Sequence, residues 1–170
     1  MATFKSIDAA VGAQEINATS TTQNHPLGAI IQANDIDTTS NYGVGEFIYA
    51  KGVASTVAGD CVVMDPRTWT TVRTVANSYG LFGVAMSANV ADQYGWYQIG
   101  GCVVVNVLTA YSAAAGKLPY LTATAGQLDD APVPGDQVIG ARALTDRGTP
   151  VSTQALHYLT RPYTLDADMT

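Results

Sequence analysis

The chain has 170 residues, of which 13% are charged and 47% hydrophobic, with a formal net charge of -6. This length is enough for one domain with a core of its own, and the low charge with many small residues favours extensive contact with other protein chains over a surface that meets water everywhere. The eight basic residues are spread singly, which argues against direct nucleic-acid binding, and no apolar run approaches the roughly 20 residues that span a bilayer, which argues against a membrane partner.

Residues 1–41 read as an extended N-terminal arm. They hold one aromatic residue, Phe4, one basic residue, Lys5, and a tract from Asn17 to Asn24 of Asn, Ala, Thr, Ser and Gln. The apolar residues Phe4, Ile7, Val11, Ile16, Leu27, Ile30, Ile31 and Ile36 follow neither a helical nor a sustained strand period. Ordering even twenty such residues costs on the order of 20 to 40 kcal/mol of backbone entropy. Offsetting the lower figure takes roughly 800 Å² of apolar burial. The arm is therefore either disordered, or laid in extended form across its own barrel or a neighbouring subunit that supplies this burial. The start MATFKSIDAAVG lacks the apolar stretch of a secretory signal, so synthesis without export by that route is expected.

The globular part is expected over 42–163. Gly43 and Gly45 form a GxG that leads into a strand instead of following one, so it suits a turn better than a dinucleotide site. Strands are predicted at 46–51, 60–64, 70–75, 82–86, 96–107, 118–122, 137–144 and 151–159. Four turns share one device, a small residue, glycine and a polar residue: Ala58-Gly59-Asp60, Ala115-Gly116-Lys117, Ala125-Gly126-Gln127 and Pro134-Gly135-Asp136. Short strands divided by such turns indicate an all-β barrel or sandwich. Helix is confined to one expected turn at 88–93, with Ser87 as its cap, and a weaker one at 110–115. The tail 164–170 is short and acidic.

The stretch from Gly83 to Val107 reads as turn, strand, strand, the central hairpin of the domain. Tyr94, Trp96 and Tyr97 place three of the chain's 14 aromatics within four residues, ahead of Gly100-Gly101 and the β-branched run Cys102 to Val105. The cluster suits a packed core, an anchor for a partner, or sugar stacking, and the pattern alone does not separate these.

Catalytic signals are weak. His25 precedes a proline in the arm, and His157 alternates with apolar neighbours in ALHYLT, which suits a satisfied structural histidine. No GxSxG context is present. Asp129 and Asp130 with Asp136 could hold calcium, but without an EF-hand loop a solvated turn is the better reading. Cys61 and Cys102 each begin an apolar run, CVVM and CVVV, at a spacing that fits no metal motif. They read as two reduced, packed thiols or a disulfide between neighbouring strands. No cofactor, metal or catalytic residue is expected.

The passage from Gly45 to Gly101, above all VGEFIYAKGVASTVAGDCVVMD and VAMSANVADQYGWYQIGG, together with Ile139-Gly140-Ala141-Arg142-Ala143, resembles the head decoration or cement proteins of tailed bacteriophages. That resemblance spans roughly 42–160. It implies a small β-barrel or β-tulip with the arm used in assembly, bound to the outer surface of the major capsid protein shell. A homotrimer is favoured, with a dimer as the variant. The implied location is the virion exterior, after synthesis in the host cytoplasm. A host-recognition or carbohydrate-binding β-domain on the virion is the alternative. The contact residues expected for capsid or subunit are Phe4, Ile7, Val11, Ile16, Leu27, Ile30, Ile31, Tyr94, Trp96 and Tyr97.

Overall fold

The structure, a computed structural model, describes residues 4–6 and 14–165. Eleven strands are described: β1 (Phe4–Ser6), β2 (Ile30–Asp35), β3 (Val44–Lys51), β4 (Cys61–Met64), β5 (Thr71–Arg73), β6 (Gly80–Ala85), β7 (Tyr94–Asn106), β8 (Tyr120–Leu121), β9 (Leu128–Asp129), β10 (Val138–Ala143) and β11 (Gln154–Thr164). Nine of them form one antiparallel sheet in the order β1-β2-β3-β7-β11-β6-β4-β5, with β10 on β11, while β8 and β9 pair separately. All eight predicted strands are present, and the four predicted turns place glycine at positive φ. No helix occurs among the described residues, so the turn expected at 88–93 is a loop, held instead by short-range bonds such as Asn89 N–H to Ser87 O.

Strand β7 is the centre of the sheet. It pairs with β3, β11 and β6, and the predicted hairpin partner meets it at Val84 opposite Gln98 and Ala85 opposite Tyr97. The sheet curls into a half-barrel: β3, β7, β6, β4 and β5 follow one another, and Thr70, just before β5, bridges back to Lys51 at the end of β3. Both faces of the sheet are therefore apolar, because each encloses a core.

The larger core takes Phe47 and Tyr49 from β3, Phe82 and Val84 from β6, Trp96, Val103 and Val105 from β7, and Leu159 from β11. The smaller lies on the opposite face, inside the curl: Ile48, Ala50, Val62, Met64, Ala85, Tyr97 and Ile99, with Trp69 against it. Alternation along a strand sends neighbours to opposite faces, and so Trp96 enters one core and Tyr97 the other. On β7 that alternation changes phase. Trp96 faces the larger core on an even position, whereas Val103, Val105 and Val107 reach it on odd ones. The extra residue lies between Gln98 and Gly100, opposite Phe47 and Glu46, and beside it Gly101 takes φ +87°, where a Cβ would run into the Val44 carbonyl oxygen. Only glycine fits both demands.

The boundary expected at residue 41 falls within the folded unit. β2 is hydrogen-bonded to β3 over Ile30 to Asn34, with Ile31 and Ala33 in the larger core. Asp35 is buried too. Its carboxylate accepts from the Asp37 and Tyr42 N–H groups and the Ser40 hydroxyl, which ties the loop into β3. Residues 14–29 then cross the same domain: Ser20 and Tyr94 exchange backbone hydrogen bonds, and Ile16 is buried. The described part of the arm thus obtains its apolar burial from its own barrel.

Candidate interaction surface

The expected aromatic contact cluster is assembled, but inward. Tyr49 and Trp96 meet edge to face with centroids 4.9 Å apart, His25 packs on both, and Tyr94 stacks on Tyr49 at 6.3 Å. Gln14 fastens the arm over them. Its carbonyl accepts from Trp96 Nε1 at 2.9 Å, its side-chain Oε1 accepts from the Tyr49 hydroxyl at 2.9 Å, and its Nε2 donates to the Tyr94 carbonyl at 3.1 Å. Trp96 and Tyr97 are fully buried, as are Ile16 and Ile31 nearly so. These four are core residues of this chain and not surface contacts. Their burial follows from strand alternation on a sheet with two apolar faces, which leaves β7 no solvent face over this stretch. Leu27 and Tyr94 are half-buried against the larger core. Ile30 alone of the described candidates is well exposed. Ile7 and Val11 lie outside the described residues, and Phe4 is placed by its backbone, opposite Asp35.

The polar residues weighed for chemistry are engaged in structure. His157 is buried, with Nε2 2.9 Å from the Tyr111 hydroxyl and Nδ1 3.4 Å from the Ala155 carbonyl oxygen. A proton on Nδ1 satisfies both contacts, the phenol donating to Nε2. Burial pulls the His157 pKa down to about 4, with the Ala155 carbonyl opposing, and burial likewise pushes Tyr111 up. Asp130 accepts from the Ser112 N–H, whereas Asp136 is buried beneath the Asn77 N–H at 2.6 Å. No group of three or more metal-ligating side chains occurs among the described residues. Cys61 is buried on β4 and Cys102 half-buried on β7, both as free thiols, and burial raises both pKa values.

Inside the smaller core, Tyr97 closes a polar seam. Asn89 Nδ2 donates to its hydroxyl at 2.7 Å, and the hydroxyl lies 3.3 Å from Thr71 Oγ1, which itself donates to the Lys51 carbonyl. Burial pushes the phenol up to about 12 against the pull of these two bonds. The seam seals the Lys51 end of the curl. Beside Leu81 and Arg161 the curl opens to solvent.

At that mouth stands an apolar cavity of about 160 Å³, lined by Ile30, Ile48, Met64, Trp69, Leu81, Phe82 and Ile99, with Arg161 and Pro162 at its lip. Trp69 reaches it from the turn after β4 with φ +54° and lies on Gly28, where a Cβ would come within 2.5 Å of the indole. Arg161 is also left-handed, φ +45°, at a bulge where residues 160–162 face Gly140 across β10 and β11. The bulge aims its guanidinium at Glu46 on β3, Nε to Oε2 at 2.8 Å and Nη2 to Oε1 at 2.6 Å. That pairing holds the Glu46 carboxyl below its ordinary range.

The mouth does not stand alone. Through Arg161 it joins a shallow groove of about 410 Å³ that includes Val44 and Tyr158, and through Met64 a second groove of about 500 Å³ that includes Arg67, Val72 and Tyr79. Val44, Ile30, Leu81, Val72, Tyr79 and Tyr158 are all exposed along this course. Large apolar side chains gathered on one surface mark a contact site more often than chance scatter does. None of Trp69, Leu81, Tyr158 or Arg161 stood out in the sequence, since each is apolar or charged in a strand or turn like many others. Comparison with protein-family models, curated proteins and solved structures returned no match to this chain.

Proposed function

We propose that this is a non-catalytic structural protein that binds the outer surface of a major capsid protein shell and bridges its neighbouring subunits. The observation that carries the reading is the set of exposed apolar side chains Val44, Tyr158, Ile30, Leu81, Val72 and Tyr79 around three depressions that share Arg161 and Met64. It is supported by the low charge of the chain and by the phage-cement resemblance of its strand phrases. On such a surface, a bound homo-oligomer makes several contacts at once and holds the shell by avidity. The half-barrel supplies the rigidity this needs, because its strands pack on both faces.

The test is cosedimentation of the purified protein with phage shells stripped of their decoration. Val44→Glu with Tyr158→Glu places two charges on exposed positions, and it is expected to leave thermal unfolding unchanged while lowering shell occupancy at least about tenfold, the effect of roughly 1.4 kcal/mol. Full occupancy by that variant overturns the reading. A second reading, glycan recognition on the virion, draws on Tyr79, whose exposed ring shares the groove of about 500 Å³ with the Asp65–Arg67 pair. Glycan binding lost in Tyr79→Ala, with no binding to shells, would favour it.

A further inference from the structure

We propose that the cavity at the mouth of the half-barrel is a socket for one uncharged, ring-sized apolar side chain inserted by a partner protein. The inference deepens the assembly reading above and rests on it for the identity of the partner, the shell protein. Three observations lead to this occupant.

The first is size. The cavity measures about 160 Å³, and an apolar protein cavity of about 150 Å³ lined by Leu, Ile and Phe stays dry and takes up benzene. One phenyl or branched aliphatic group fills such a space, and a second would not fit. The second is chemistry. Ile30, Ile48, Met64, Leu81 and Ile99 offer no hydrogen bonds, and a water needs two to four polar partners to settle in a cavity. The space is accordingly suited to carbon and poorly suited to solvent.

The third is charge. Arg161 stands at the lip, and its Nε and Nη2 are engaged by Glu46, whose carboxylate balances its charge. An inserted carboxylate would have to compete with Glu46, and an inserted ammonium would be desolvated against five aliphatic side chains with no free acceptor. The complementary group is neutral. Trp69 adds direction, since the indole seated on Gly28 forms a flat wall against which a ring can pack. Ile30 and Leu81 stay partly exposed at the rim, where the apolar neighbours of an inserted anchor would cover them.

The experiment uses the full-length protein with toluene as probe, followed by methyl NMR. Toluene is expected to shift the methyl signals of Met64, Ile30 and Ile99 saturably while leaving those of Val105 in the larger core in place. Leu81→Phe, which fills the space from a half-exposed position, is expected to weaken toluene by at least about tenfold and to lower shell occupancy in parallel. Benzoate and benzylammonium are expected to bind at least about tenfold more weakly than toluene. Absence of a toluene response, or benzoate binding as tight as toluene, overturns the socket. Self-association of the wild type that Leu81→Phe abolishes would assign the socket to a second copy and overturn the shell partner. Toluene binding with no shell binding by the wild type keeps the socket and removes the shell reading; shell binding that ignores Leu81→Phe, with no toluene response, removes the socket alone.

Discussion

Replacing Trp96 by alanine separates a core tryptophan from a contact anchor. The side chain is fully buried between Tyr49 and His25, and truncating a buried Trp costs about 3 to 5 kcal/mol in lost transfer energy and cavity. Its Nε1 also donates to the Gln14 carbonyl at 2.9 Å. Leaving that acceptor unpaired inside the fold adds about 1 to 3 kcal/mol. The expected loss is therefore at least about 4 kcal/mol, a large share of the roughly 5 to 15 kcal/mol available to a domain. Trp96→Phe keeps most of the ring and loses the donor, so it should cost about 1 to 3 kcal/mol. Urea unfolding followed by circular dichroism measures both, with Trp69 left as a second, fluorescent reporter. A loss below about 1 kcal/mol for Trp96→Ala, at an unchanged urea slope, would refute the placement of Trp96 and restore it as a surface anchor.

Two further outcomes follow from buried polar groups. The His157 pKa falls from 6.5 to about 4 on folding, so between those values the unfolded chain binds a proton that the folded one refuses. Stability from this group is full above pH 6.5, declines as the pH falls towards 4, and loses roughly 3 kcal/mol across the window; His157→Gln should remove this slope, so that the wild-type-minus-variant difference changes with pH across the window, and equal slopes of unfolding free energy against pH would discount the effect. The second concerns Asp60, which is buried, accepts from the Val57 N–H and Asn106 Nδ2, and has Arg73 Nε at 2.8 Å as an ion-pair contact that is not aligned for a hydrogen bond. Arg73→Met strands that carboxylate and should cost roughly 3 kcal/mol in thermal or urea unfolding, whereas Arg67→Met, at an exposed pair, should leave the midpoint where it is.

The sequence carried the strand pattern well because the signals were local. Runs such as CVVM and CVVV, and glycine turns at 59, 116, 126 and 135, need only neighbours to be read, and the half-barrel realises all of them. β2 was hidden for a physical reason. Its inward residues are Ile31, Ala33 and Asp35, of which one is small and one charged, and the buried Asp35 is made tolerable by the three donors of the loop it caps. That loop, and hence the membership of 30–35 in the sheet, cannot be seen without the fold. The mouth of the half-barrel is less legible still. It joins Ile30, Ile48, Met64, Trp69, Leu81 and Ile99 from six separate stretches, and only the curl that returns Thr70 to Lys51 makes them neighbours.

The phase change between Gln98 and Gly100 has a consequence for how the molecule comes apart. Because β7 lends Tyr97 and Ile99 to one core and Trp96, Val103 and Val105 to the other, neither core can dissolve while its companion persists: the same backbone is the spine of both. A chain built on two separate hydrophobic clusters would ordinarily have a weak half, available to shear off under load. Here the halves share one strand, and mechanical or thermal stress on either is resisted by the whole.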